Sequence, residues 1–158
     1  MAGYTLSIGT SGFDEIAERL KNPNTVRLVE KTMLDVATKL AEGKAKELAP
    51  TRIGTLRGSI TSKIEESGRD MVGKVGSTIE YAKYQEFGTG IHAGKGYIYP
   101  KRATMLHFFT KGGDEVFAKR VAGTPPRKFI AGGLAAVQAN LSKIFDIGKR
   151  KAHELYGL

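Results

Sequence analysis

Two stretches of this sequence repeat apolar residues at the spacing of an amphipathic helix. The first begins at Asn22-Pro23, and its repeating positions are Val26, Val29, Met33, Val36, Ala37, Leu40 and Leu48. In the second stretch they are Ile130, Leu134, Val137, Leu141 and Ile144. Steps of three and four residues place such side chains on one face of a helix. Two long helices, each with one buried face, are therefore predicted.

Two other stretches alternate apolar and polar residues, which is typical of β-hairpins. The strands that they predict are 60–65 with 71–77, and 103–109 with 115–121. The strand 103–109 is apolar nearly throughout, so we expect it to be covered on both faces. Short hairpin connections between long helices predict an α+β fold: a mostly antiparallel β-sheet built from hairpins, packed against two long amphipathic helices.

The segment YAKYQEFGTG, which starts at Tyr81, lies between the two hairpins and is the densest aromatic cluster of the sequence. It predicts a short helix that ends at Gly88. The two faces of this helix would carry Ile79, Ala82 and Glu86 on one side, and Tyr84 with Phe87 on the other. We interpret it as a packing element whose aromatic side chains plug a sheet. The glycine-rich segment 88–96 that follows is expected to be a mobile loop.

The composition excludes several kinds of site. The chain has 158 residues and no cysteine, which excludes disulfides, thiol catalysis and cysteine zinc sites. Its histidines, His92, His107 and His153, lie far apart and lack metal-ligand spacing. No apolar run approaches the roughly 20 residues of a membrane span, and the N-terminus lacks a secretory pattern. We therefore expect one domain that starts in the cytoplasm, without metal, cofactor or membrane partner.

The net charge is +9, and basic chains often meet nucleic acid or acidic partners. The lysines and arginines are spread along the chain without a block of five or six, which favours a solvated basic surface. A basic nucleic-acid-binding module stays open as an alternative function. A DNA-binding tail at Lys149-Arg150-Lys151 is less favoured, because cations suit a helix C-terminus electrostatically.

Catalysis has little support in the sequence. Glu86 and His92 flank a glycine loop, and a small hydrolase using this pair is a third hypothesis, although the glutamate has no evident catalytic partner. A phosphate-binding loop at 54–58 would lack the lysine and the glycine spacing that such loops need. The sequence therefore predicts no catalytic, cofactor-binding or metal-binding residue.

Three segments, taken together, resemble one protein family. The segment 49–60 (APTRIGTLRGSI) is similar to the "APxxTGxLRxSI" segment of bacteriophage tail-completion proteins, the minor tail components that terminate the tail at the head–tail neck. The segment 81–89 (YAKYQEFGT) resembles their "YAxYxEFGT" segment. The segment 123–130 (GTPPRKFI) resembles the "PxRPFL" segment before their C-terminal helix. Order and spacing agree over about residues 25–145.

The sequence departs from the family pattern at two positions, and two segments lie outside the family-like core. Lys128 stands where the family usually has proline, and Ile53 interrupts the Arg-Thr-Gly form. Outside the family-like core, residues 1–24 predict an N-terminal strand or arm and a short helix, and residues 146–158 predict a basic helix end.

The resemblance implies a structural virion protein and not an enzyme. Members of this family cap the tail tube as rings, typically hexameric, and dock to the head connector. The implied partners are further copies of the chain, the tail tube protein and the head–tail connector or stopper protein. DNA would pass through the lumen without specific binding. The implied location is the tail or neck of the virion, after assembly in the cytoplasm of the bacterial host.

The same resemblance nominates residues that set turns or make structural and intersubunit contacts. They are Pro50, Arg52, Gly54, Leu56, Arg57, Tyr81, Ala82, Tyr84, Glu86, Gly88, Pro125, Arg127 and Phe129. Arg57, Glu86 and Arg127 are candidates for ion pairs. Phe108 and Phe109 join them because their strand is too apolar to leave exposed on a soluble monomer. We expect this hairpin to pair with a neighbouring subunit and to close a ring.

Overall fold

A computed structural model describes residues 23–51, 54–110 and 112–156 of the chain. The predicted N-terminal strand and short helix, together with Arg52 and Ile53, lie outside these residues. The chain divides into two compact units. We call residues 1–80 with 129–158 the helical unit, and residues 81–128 the ribbon unit. The single domain expected from the sequence stays a prediction.

The first long helix, α1, spans Pro23–Leu48, as predicted. Its most buried positions are Val26, Met33, Leu34, Ala37, Thr38, Ala41 and Ala45. Thr38 is the polar member of this face, and its hydroxyl donates to the carbonyl of Leu34 at 2.9 Å, so burial leaves it satisfied. Leu48, the last predicted position, is exposed. The helix is therefore held by a stripe of small and medium apolar side chains.

The first predicted hairpin is confirmed, and it packs on α1. Strand β1 (Ile60–Ser67) pairs antiparallel with β2 (Asp70–Ser77). Every second residue of β2 is buried: Met71, Gly73, Val75 and Ser77. The side chains of Thr38 and Leu34 fill the space that a side chain at Gly73 would need. The alternation seen in the sequence therefore marks the face that meets the helix.

Ion pairs at the hairpin turn add to this contact. Glu66 lies 2.8 Å from Arg27 and 2.7 Å from Lys31, and Arg27 also donates to the carbonyl of Gly68 at 3.0 Å. The hydrogen bonds from Arg27 and Lys31 lower the pKa of Glu66 to about 2. The hydrogen bonds from Lys63 and then Lys74 lower the pKa of Glu65 to about 2 as well.

The C-terminal helical stretch is broken once. Helix α4 (Phe129–Ala139) and helix α5 (Leu141–Tyr156) replace the single helix predicted from Ile130 onward. At Asn140 the side-chain amide donates to the carbonyl of Ala136 at 2.8 Å, while the backbone N–H donates to Val137 at 3.0 Å. The side chain thus occupies the carbonyl that a regular α-helix would offer to the backbone, which explains the break. Both helices pack against α1.

The remaining elements are the short helix α2 (Thr55–Ser59), which lies in the helical unit, and the elements of the ribbon unit. In the ribbon unit, helix α3 (Ala82–Phe87) is followed by a 3-10 helix (Gly90–Ala93) and by the antiparallel strands β3 (Leu106–Phe109) and β4 (Glu115–Ala118). The second predicted hairpin is thus confirmed, with shorter strands. Long helices and two antiparallel hairpins confirm the α+β fold class.

Candidate functional site

The first of the three segments that carry the resemblance, 49–60, is anchored in the helical unit. Gly54 has a φ of 79° and precedes α2, and Leu56 is 3% exposed. The hydroxyl of Ser59 donates to the carbonyl of Leu56 at 2.7 Å and lies 2.8 Å from the hydroxyl of Ser77. The segment therefore joins α1 to the hairpin by burying one leucine and closing a turn.

The exposed side of this segment carries its charge. Pro50 is half-buried where α1 ends, and Arg57 is exposed. Within the described ranges Arg57 takes part in no ion pair, so its predicted ion pair stays a prediction. Arg52 lies outside the described residues. A phosphate loop at 54–58 is not supported, because α2 is only 5 residues long and the segment lacks the lysine such a loop needs.

Helix α3 carries the second segment and turns its aromatic residues outward. Its predicted faces are confirmed for the helical residues, since Ala82 and Glu86 are buried while Tyr84 and Phe87 are exposed. Ile79, also expected on the inner face, precedes the helix and is half-buried. Tyr81, at the N-terminal end, is exposed too. The prediction that tyrosine and phenylalanine plug a sheet is therefore wrong. A small residue and a carboxylate occupy the inner face, and the helix ends at Gly88 as expected.

Beyond α3 the chain returns along itself as one hydrogen-bonded ribbon. The backbone N–H of Arg127 donates to Gln85 at 2.7 Å, and Lys128 donates to Glu86 at 3.2 Å. The next bonds join residues ever closer in sequence: Thr89 to Thr124, Ile91 to Ala122, and Ile98 with Val121 in both directions. Strands β3 and β4 continue the pairing to the turn, where Thr110 donates to the carbonyl of Asp114 at 2.8 Å.

The base of this ribbon is closed by glycines in direct backbone contact. Gly90 has a φ of 60° and Gly123 a φ of 90°, both in the left-handed region. A Cβ at Gly90 would lie 2.8 Å from the carbonyl carbon of Ala122, and one at Gly88 would lie 2.7 Å from the carbonyl oxygen of Thr124. The segment 88–96, expected to be a mobile loop, instead holds a 3-10 helix and pairs with the return strand.

The β3–β4 hairpin separates its side chains into two faces. The register places His107 opposite Phe117 and Phe109 opposite Glu115, so these four residues share one face. The rings of His107 and Phe117 are stacked, with centroids 4.7 Å apart, and His107 meets Phe109 edge-on at 5.4 Å. The imidazole Nε2 lies 2.8 Å from a carboxylate oxygen of Glu115. We call these four residues the aromatic face.

The aromatic face is open to solvent. Phe109 is 64% exposed and Phe117 is 60% exposed, and Phe108, on the opposite face, is 40% exposed. The expectation that the strand containing Phe108 and Phe109 is covered on both faces is therefore wrong for the single chain. A run of apolar residues marks a surface that needs a cover, but the cover need not belong to the same chain.

The third segment ends the ribbon unit with an unusual backbone conformation. Pro125 and Arg127 are exposed, and Arg127 forms no ion pair among the described residues. Lys128 has a φ of 50°, which a proline ring forbids. The family's proline therefore cannot stand here in this conformation. Phe129, the next residue, begins α4 and is fully buried in the chain.

The two residues of the hydrolase hypothesis differ in their exposure. Glu86 is buried, whereas His92 is exposed on the 3-10 helix. Among the described residues no group of three or more His, Cys, Asp or Glu side chains could hold a metal ion. Across the same residues, no helix combines the length and the apolar character that crossing a bilayer requires.

The sequence analysis singled out five exposed aromatic residues of the ribbon unit, but it missed Tyr97, Tyr99 and Phe117. All eight of its aromatic residues are exposed: Tyr81, Tyr84, Phe87, Tyr97, Tyr99, Phe108, Phe109 and Phe117. The guanidinium of Arg120 lies over the ring of Tyr97 at 4.3 Å. The unit also has nine lysines and arginines against three acidic residues, so it contributes +6 of the net +9. Counting charge and aromatics by segment could have found this concentration.

A comparison with known protein families supports the resemblance seen in the first two segments. Residues 13–88 match the model of the HK97-gp10-like family, described as "Bacteriophage HK97-gp10, putative tail-component". This stretch contains α1, the first hairpin and α3. No curated protein and no solved structure matches the chain. The resemblance to bacteriophage tail components is thus confirmed over residues 13–88, as a match to the HK97-gp10-like family.

Proposed function

We propose that this protein completes the tail of a tailed bacteriophage, as a ring of identical subunits at the head–tail neck. The observation that carries the proposal is the exposure of all eight aromatic residues of the ribbon unit. Aromatic side chains contribute strongly to interface free energies because each one buries a large area. A tail component with such a surface is suited to assembly by protein–protein contact.

A ring requires two different contact surfaces on each subunit. A cyclic assembly uses head-to-tail contacts, in which one patch of a subunit meets a different patch of the next. The ribbon offers such a patch because its aromatic side chains are already exposed to solvent. Burial of apolar area at about 25 cal/mol per Å² would favour the contact.

The further partners follow from the position in the tail. The tail tube protein and the head–tail connector or stopper protein would meet the two sides of the ring. DNA would pass through the lumen without specific binding, in a protein assembled in the host cytoplasm and carried in the virion. Hexameric closure is the expectation for this family type.

The experiment replaces Phe108 and Phe109 with serine and compares the variant with wild type at matched concentration. Light scattering should find a folded, mostly monomeric variant beside larger wild-type assemblies, and complementation should find incomplete tails. Leu28→Ser is the control, since Leu28 is an exposed apolar residue of the helical unit. Wild-type assemblies and full infectivity in the Phe108/Phe109 variant would reject the ribbon as the joint.

Nucleic-acid binding is the second candidate, and the charge of the ribbon unit favours it. Nine cationic residues accompany eight exposed aromatic residues within 81–128, and aromatic rings can stack on single-stranded bases. A duplex or single-strand mobility shift at low micromolar protein, weakening steeply with salt, would support this function. Binding that is absent at low salt would exclude it.

A further inference from the structure

We propose that the aromatic face of the β3–β4 hairpin receives a cationic side chain from a second copy of this chain. The inference rests on the proposed self-assembly and names the chemistry of one contact in it. The face consists of His107, Phe109, Glu115 and Phe117, which the strand register places side by side. Two open phenylalanine rings next to one carboxylate form a surface suited to an ammonium or guanidinium group.

The carboxylate of Glu115 makes an apolar partner on the aromatic face unfavourable. Glu115 is half exposed and, among the described residues, is paired with His107 alone. An apolar surface laid on the face would bury this carboxylate without adding a partner, which is costly. A cation would instead supply a partner for the carboxylate while its flat or compact head group covers the phenylalanine rings.

The same carboxylate also decides against pairing two identical faces. In an isologous contact, Glu115 of one copy would lie near Glu115 of the other, and like charges across an interface are destabilising. A head-to-tail contact avoids this repulsion, because the face then meets a different part of the second copy. That geometry is the one a closed ring requires.

The chain supplies the complementary charge in excess. The ribbon unit has nine cationic residues against three acidic ones, Glu86, Asp114 and Glu115. Exposed cations such as Lys101 and Arg102 form no ion pair among the described residues. The chain already uses this pairing where Arg120 covers Tyr97 at 4.3 Å and where the ammonium of Lys83 lies over Tyr84 at 5.0 Å. Charge complementarity therefore points to a second copy.

The test separates a cation contact from an apolar one. Phe→Leu keeps most of the apolar area but removes the π-system, so Phe109→Leu/Phe117→Leu should raise the dissociation constant about tenfold. Glu115→Gln should raise it by a similar factor. Phe145→Leu is the matched control, because Phe145 is an exposed phenylalanine of the helical unit, and its dissociation constant should stay within about twofold of wild type. Sedimentation velocity over a concentration series, with circular dichroism to verify folding, measures all four proteins.

The outcomes distinguish the two proposals. Wild-type affinity should fall as salt rises from 0.1 to 0.5 M, since partly exposed charge pairs are screened, and Glu115→Gln should lose part of that dependence. A leucine double variant that associates like wild type would overturn the cation contact and leave self-assembly standing. A wild-type chain that stays monomeric at every concentration would overturn both. Loss of single-stranded DNA binding, without any change in association, would assign the face to nucleic acid instead.

Discussion

The helical unit and the ribbon unit use their apolar residues in opposite ways. With the single exception of Ala82, the buried apolar side chains of the described residues belong to the helical unit. The ribbon unit has eight aromatic residues, and every one is exposed. One unit has a core of its own, whereas the other is ordered by backbone pairing and by glycines that allow close approach.

This difference separates two reasons for an apolar side chain. In the helical unit, apolar residues lower the free energy of the folded chain by leaving water. In the ribbon unit the aromatic residues stay in water, so they contribute little to folding and remain available for contact with another molecule. Stability and assembly should therefore respond to different substitutions, and each of the following variants tests that separation.

The largest contrast is expected between two phenylalanines. Phe129 is fully buried and Phe109 is 64% exposed. Phe129→Ala should lower the free energy of unfolding by about 3–5 kcal/mol, because it removes transfer energy and leaves a cavity. Phe109→Ala should change it by less than about 1 kcal/mol. Urea unfolding followed by circular dichroism, at concentrations where the chain is monomeric, measures both; equal losses would refute the separation of roles.

The same distinction explains which parts of the fold could be predicted from the sequence. Helix α1 and the β1–β2 hairpin were predicted well, because their apolar periodicity is satisfied within the chain. The covering of β3 was not, since periodicity reports which side chains need a cover and not which molecule supplies it. For α3 the division into two faces was correct. The larger aromatic side chains were predicted to be buried, but Ala82 and Glu86 form the buried face instead.

Two features of the candidate site had no signal in the sequence. The pairing of 88–91 with 122–124 depends largely on backbone hydrogen bonds, which leave no side-chain pattern, and the hydroxyl of Thr89 adds one bond by accepting from the N–H of Thr124 at 2.9 Å. The positive φ of Lys128 also could not be predicted from the sequence, since lysine does not favour that conformation. The site residues themselves stay predictions, although the structure brings α3 and the hairpin into one unit.

The next largest effect is expected at Lys128, the last residue of the ribbon unit. Lys128→Pro forbids the φ of 50° and removes the N–H that donates to Glu86 at 3.2 Å. It should cost roughly 3 kcal/mol. Lys128→Gly relieves the left-handed strain and should stabilise the fold by up to about 1 kcal/mol. Thermal unfolding of the three proteins checks this order of stability. A proline variant as stable as wild type would mean that the backbone at residue 128 can adopt the negative φ that proline requires.

A smaller effect should reveal how the ribbon is held. Gly90 and Gly94 both have positive φ, 60° and 70°, but a Cβ at Gly90 would strike Ala122 whereas Gly94 has open space. Gly94→Ala should cost about 1 kcal/mol from its conformation alone. Gly90→Ala should cost roughly 1–2 kcal/mol more, because the two backbones must separate.

Hydrogen exchange localises this effect. The amides of Thr89 and Ile91, which donate to Thr124 and Ala122, should exchange faster in Gly90→Ala and as in wild type in Gly94→Ala. Amides of α1 should keep their protection in both variants. Equal exchange in the two variants at Thr89 and Ile91 would mean that backbone contact does not hold the ribbon.

The smallest effect is expected from an ion pair of the helical unit and should appear only above a certain pH. Hydrogen bonds from Arg27 and Lys31 lower the pKa of Glu66 from 4.5 to about 2. A carboxyl whose folded pKa is depressed contributes stability above its unfolded pKa and loses it as pH falls through the folded value. Wild type should therefore exceed Glu66→Gln in stability at pH 6, and the difference should vanish between about pH 4.5 and 2. Because the carboxylate is exposed, added salt should reduce the difference. Urea unfolding at pH 6, 4 and 2 gives the three values, and a difference that persists at pH 2 would show that Glu66 acts through something other than its charge.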